Sequence, residues 1–94
     1  MKPKYIRVYD NGGKTFDRYT VVYTRTGHHE YVGLSERPFH PQGFCQHGEN
    51  DSPIDYPRYG HIGKKISWED LPNDCKLVVF QDYEEIWGKG KMLI

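Results

Sequence analysis

The stretch that most constrains this chain is residues 38–49, Pro-Phe-His-Pro-Gln-Gly-Phe-Cys-Gln-His-Gly-Glu. Two prolines fix the backbone and remove donors, two glycines relax it, and neither the helical nor the strand period runs through it. The segment therefore reads as a loop rather than a helix or strand. It is expected to be anchored, because Phe39 and Phe44 have apolar surface to bury. Sheet-forming segments precede it, and one strand and one helix are expected beyond Gly60.

Residues 5–9 alternate, placing Ile6 and Val8 on one face and Tyr5, Arg7 and Tyr9 on the other, as a half-buried strand requires. The run Asp10-Asn11-Gly12-Gly13 is a turn, since Asn-Gly readily takes positive φ at both central positions of a hairpin. Residues 14–18 are polar, so the hairpin is expected to be wide, with a bulge over 15–18, before a second strand at 19–24. A turn at 26–29 leads to a third strand over 30–35, with Val32 and Leu34 on one side and Tyr31 on the other. Residues 36–60 show no periodicity, and so long a connection in a small domain points to a functional loop.

Residues 61–66 read as a short fourth strand interrupted by Gly63. Ser67, with Asp70 three positions later, approximates a capping box, and Pro72 suits the first turn of a helix running to Trp87 and ending at Gly88. Leu71, Cys75, Val78, Val79, Tyr83, Ile86 and Trp87 share one helical face. Asp82 falls inside that apolar stripe, so it is expected either at the edge of the contact or paired with a cation such as Arg7 or Arg18. The expected fold is α+β: one domain over residues 1–94, an antiparallel sheet of about four strands covered by one C-terminal helix.

Lys and Arg number thirteen, as do Asp and Glu, which removes the electrostatic case for sequence-independent DNA binding or attraction to a membrane surface. Eight Tyr, four Phe and two Trp supply the bulky area that disordered chains lack. No signal peptide or membrane span is read from the sequence, so a cytoplasmic protein is expected, with Cys45 and Cys75 as free thiols.

The motifs Tyr-Asp-Asn-Gly-Gly at 9–13, Asp-Arg-Tyr-Thr-Val at 17–21 and Pro-Phe-His-Pro-Gln-Gly-Phe at 38–44 carry a resemblance. With Gln46-His47, His61-Ile62-Gly63-Lys64 and Leu71-Pro72, the chain resembles a family of small uncharacterised proteins of bacteria, phages and mobile elements. The resemblance implies a context, binding of host components or host signalling molecules and so a counter-defence role, and no catalytic residues.

Three chemistries suit the residues. Zinc is weighed because His40, Cys45 and His47 lie within eight residues and His61 or Cys75 offers a fourth ligand, but the spacing matches no familiar site, so no metal or cofactor is assigned. A small histidine- or metal-dependent nuclease or hydrolase is the alternative, with His40 or His47 as base beside Cys45 and Glu49. The favoured reading is non-catalytic binding of a nucleotide-like small molecule or a host protein through residues 36–60. Arg18, His40, Gln42, Phe44, Gln46, His47 and Tyr59 are the candidate ligand residues, with polar loop side chains converging on the ligand. A sheet face with Tyr5, Arg7 and Tyr9 exposed would also suit single-stranded nucleic acid, and a homo-oligomer is compatible with the sequence.

Overall fold

The computed structural model describes residues 5–24, 30–49 and 62–87. Among them run five strands and one helix: β1 (Ile6–Asp10), β2 (Tyr19–Tyr23), β3 (Glu30–Leu34), β4 (Cys45–Glu49), β5 (Lys64–Ile66) and α1 (Asn73–Trp87). The strands form one antiparallel sheet in the order β4-β3-β2-β1-β5. The chain thus has the expected α+β fold, with five strands.

The strand missed by periodicity is β4, which lies inside the stretch read as a loop. It pairs with β3 in the register Glu30↔Glu49, Val32↔His47 and Leu34↔Cys45. Four of its five residues are exposed, so no apolar alternation marks it. Backbone hydrogen bonds to β3 hold it, and those are indifferent to side-chain type. Gly48 has a steric role, because a Cβ there would meet the Tyr31 ring at 2.6 Å.

Directly paired residues of antiparallel strands share a face. Val8, Tyr19, Val21, Tyr23, Val32 and Leu34 therefore form one apolar surface. Trp68 and the Leu71, Cys75, Val78 and Val79 stripe cover it. Burial of this set is the main stabilising term of the fold, at about 25 cal/mol per Å² of apolar surface removed from water. Tyr83, Ile86 and Trp87 lie on α1, but their side chains are outside the described set.

The other sheet face is not the open aromatic platform expected from Tyr5, Arg7 and Tyr9. Tyr9 is only 2% exposed and forms a second cluster with Val22 and Ile62, against which Tyr31 packs. Sheet formers on both faces of β1 and β2 are consumed by packing, which removes Tyr9 as a stacking surface for nucleic-acid bases.

The first hairpin is wide, as expected, yet no bulge interrupts the pairing, which runs regularly from Ile6↔Tyr23 to Asp10↔Tyr19. Its loop closes through the Asn11 N–H to the Arg18 carbonyl at 3.0 Å. Asn11 is buried, and its Oδ1 accepts from the N–H groups of Gly13 and Lys14, at 2.9 and 3.1 Å. Positive φ at Gly12 and Gly13, 76° and 86°, makes that turn available. Ser67 does not cap by its side chain: its hydroxyl lies 3.1 Å from the Asp70 carboxylate, and a short 3-10 turn at Trp68–Asp70 precedes α1.

Candidate functional site

The hairpin loop between β1 and β2 and the segment between β3 and β4 lean toward each other and enclose an open cleft of about 620 Å³. Ser35 ties the second wall to the sheet. Its N–H donates to the Phe44 carbonyl at 3.0 Å, and its hydroxyl accepts from the Phe44 N–H at 2.9 Å. Within the segment, the Gly43 N–H donates to the His40 carbonyl at 2.7 Å, a turn with no room for a side chain, because a Cβ on Gly43 would lie 2.1 Å from the Arg37 carbonyl oxygen. Phe16 from the hairpin meets the half-buried Phe44 edge-on, with ring centroids 6.4 Å apart.

Lys14, Phe16, Arg18, Arg37, His40 and Gln42 line this cleft. Arg18 is held in place: Nε and Nη2 donate to the two oxygens of Asp10 at 2.8 and 3.0 Å, and Nη1 donates to Glu36 at 2.5 Å. Its guanidinium also lies 5.1 Å from the Tyr19 ring centroid. The hydrogen bond from Arg18 holds the Asp10 carboxyl below its ordinary value against the opposing effect of burial. The Gln42 N–H donates to His40 Nδ1 at 3.1 Å. Nδ1 is then the acceptor nitrogen, so in the neutral ring the proton sits on Nε2, which becomes a donor. Lys14 and Arg37 are exposed and have no carboxylate partner among the described residues.

A second constellation lies between β2, β4 and α1. Asp82 is 5% exposed, and in place of the arginine partner expected from the sequence, Arg7 or Arg18, it meets Tyr23 and His47. Its Oδ2 accepts from the Tyr23 hydroxyl at 2.5 Å, and its Oδ1 is 2.7 Å from His47 Nε2. Asp82 needs both contacts, because an ionised carboxylate accepts only. Nε2 is accordingly the protonated nitrogen of neutral His47, and Nδ1 keeps a lone pair. Burial first, and then the Asp82 hydrogen bond, push the Tyr23 hydroxyl well above the usual tyrosine range. Glu30, Glu49 and Glu85 border the same cleft of about 370 Å³, which makes it acidic.

The seven sequence candidates therefore separate. Arg18, His40 and Gln42 share the first cleft, and Phe44 is linked to it through its edge contact with Phe16. His47 lies apart on the helix-facing side of β4, and Gln46 occupies the opposite face of that strand. Tyr59 lies outside the described residues. The expected convergence of His40, Gln42, Gln46 and His47 does not occur, because a strand sends successive side chains to opposite faces. Lys14 and Phe16, which no sequence motif marks, join the site. The signal available for them was the width of the Asn-Gly-Gly hairpin, which projects its polar loop beside residues 36–44.

The weighed metal ligands also separate. His40 is in the first cleft, Cys45 and His47 are on β4, and His61 lies outside the described residues. Among the described residues no three His, Cys, Asp or Glu are grouped to hold a metal ion. Both thiols are free. Cys75 is buried, with its sulfur 3.3 Å from the Ser35 carbonyl oxygen, and burial pushes its thiol up to about 12. No described helix is long and apolar enough to cross a membrane.

Compared with protein-family models, curated proteins and solved structures, the chain gives no match.

Proposed function

We propose that this chain is a small non-catalytic binding protein whose cleft between the β1–β2 hairpin and residues 36–44 takes an anionic, nucleotide-like small molecule. The observation that carries this reading is the cleft's excess of donors. Lys14, Arg37, His40 and Gln42 line it beside the exposed ring of Phe16, His40 with its Nδ1 taken by the Gln42 N–H, and Glu36 is engaged by Arg18. A site rich in donors and cations selects a ligand rich in acceptors and negative charge. Its volume falls within the roughly 300–1,000 Å³ of small-ligand sites.

The test is to heat pure protein and identify the released material by mass spectrometry. A phosphate-bearing small molecule is the expected result. A ligand-free protein that instead co-elutes with another protein on a sizing column would overturn the small-molecule reading and favour a host protein as the occupant.

A second reading, a histidine-dependent hydrolase, is favoured by the His47–Asp82–Tyr23 chain, in which a buried carboxylate orients an exposed imidazole. The neighbouring Glu30, Glu49 and Glu85 repel a phosphodiester backbone, so a neutral or cationic ester suits that cleft better than nucleic acid. Ester hydrolysis lost in His47→Ala and kept in His40→Ala would support this reading. Equal rates in both variants would end it.

A further inference from the structure

We propose that the occupant of the first cleft is a nucleoside monophosphate, with its phosphate between Lys14 and Arg37 and its base on the open face of Phe16. This rests on the reading of that cleft as a small-ligand site, and it names the ligand class.

The charges lead to the phosphate. Arg18, the cation among the candidate ligand residues, is already committed to both oxygens of Asp10 and to Glu36, with its face toward Tyr19. A ligand that recruited it would have to break those bonds. Lys14 and Arg37 carry no such commitment among the described residues, and they approach from opposite walls, one on the hairpin loop and one on the β3–β4 segment. Two uncommitted cations match the charge of a phosphomonoester, about −1.5 to −2 at neutral pH. A diester brings one negative charge and leaves a cation unmatched. A longer phosphate chain brings more charge than the pair neutralises, beside the carboxylate of Glu36. The His40 Nε2–H adds a donor without adding charge, its tautomer set by the Gln42 N–H on Nδ1.

Phe16 leads to the base. It is 65% exposed, and its contact with Phe44 is edge-on, with 66° between the ring planes. An edge contact leaves ring surface available for a flat partner, and every nucleobase presents a π-face. A ring at one side and two cations on the walls describe one nucleotide unit, which the cleft's 620 Å³ accommodates.

Calorimetric titration of the full chain with AMP, UMP, adenosine and inorganic phosphate tests the assignment. At least one nucleotide should bind more tightly than either fragment. Arg37→Ala and Lys14→Ala should each weaken the nucleotide about tenfold or more, the loss expected for a charge-assisted hydrogen bond, and leave adenosine unaffected. Phe16→Ala should weaken nucleotide and adenosine together and leave phosphate unchanged. All three side chains are exposed, so the variants should fold. Adenosine binding as tightly as AMP would overturn the phosphate placement while leaving the cleft a binding site. A nucleotide indifferent to Phe16→Ala would overturn the base placement. Binding of none of the four probes would overturn this inference; if the heat-release experiment had meanwhile yielded a different anion, the underlying reading would stand, and if it had yielded none, both would fall.

Discussion

Asp82 on α1 accepts a 2.5 Å hydrogen bond from the hydroxyl of Tyr23 on β2, fifty-nine residues earlier in the chain, and both residues are buried. Tyr23 and Asp82 thereby add a directional polar contact to a largely apolar helix–sheet interface, beside the contact of Asp82 with His47. Tyr23→Phe removes one of the two contacts shown for the Asp82 carboxylate. A loss of about 1–3 kcal/mol is expected, the cost of a buried acceptor left short of a donor. Urea unfolding measures it, and a change under about 0.5 kcal/mol, the scale of surface substitutions, would mean that water substitutes freely for the hydroxyl.

The same pair sets the alkaline limit. The neutral phenol of Tyr23 is favoured in the folded state, because burial raises its pKa and the Asp82 hydrogen bond raises it further. A raised value contributes stability that is fully present below the unfolded tyrosine pKa of about 10 and fades as pH rises beyond it. Between pH 9 and 11 the parent chain should lose stability more steeply than Tyr23→Phe. Parallel pH profiles of the two denaturation midpoints would contradict this.

Asp10 governs the acid side of the hairpin. Its carboxyl is held below the ordinary value, chiefly by the hydrogen bond from Arg18. A depressed value contributes stability above the unfolded pKa of about 3.9 and loses it as pH falls through the folded one. Asp10→Asn should therefore be less stable than the parent at pH 7, and the difference should shrink below pH 4. A constant difference across that range would show that the charge of Asp10 is not what stabilises the hairpin, since Asn keeps an oxygen to accept from the Gly12 N–H, at 2.7 Å in the parent.

The thiols should differ in reactivity. Cys45 is exposed on β4, whereas Cys75 is buried and its thiol is raised to about 12. A thiolate-specific reagent at pH 8 should modify Cys45 first and reach Cys75 only in denaturant. Two thiols reacting at one rate in the native protein would place α1 away from the sheet.

Gly63 holds β5 against the turn. Its φ is 90°, and a Cβ would fall 2.0 Å from the carbonyl oxygen of Asp10. Gly63→Ala should cost more than the ~1–3 kcal/mol of left-handed strain alone, since backbone must also move. Thermal melts followed by circular dichroism report the loss, and a melting temperature within a degree of the parent would show that β5 is dispensable.

Much of the fold was legible because it rests on local rules. Alternation at Ile6 and Val8 and at Val32 and Leu34 sets the sheet's inner face, Asn11-Gly12-Gly13 sets the first turn, and Leu71, Cys75, Val78 and Val79 set the covering stripe. The sequence by itself also puts Asp82 in the apolar stripe, either at its edge or with a partner. The identity of that partner was a tertiary decision. The choice of Tyr23 and His47 over an arginine depends on how β4 and α1 lie across β2, a relation between residues 35 and 59 positions apart that no local pattern encodes. For the same reason local pattern gives β4 as loop and its two faces as one cluster. Its pairing is made by backbone groups that every residue carries, and only the ladder with β3 separates His47 and Gln46 and leaves the cleft to Lys14, Phe16, Arg37, His40 and Gln42.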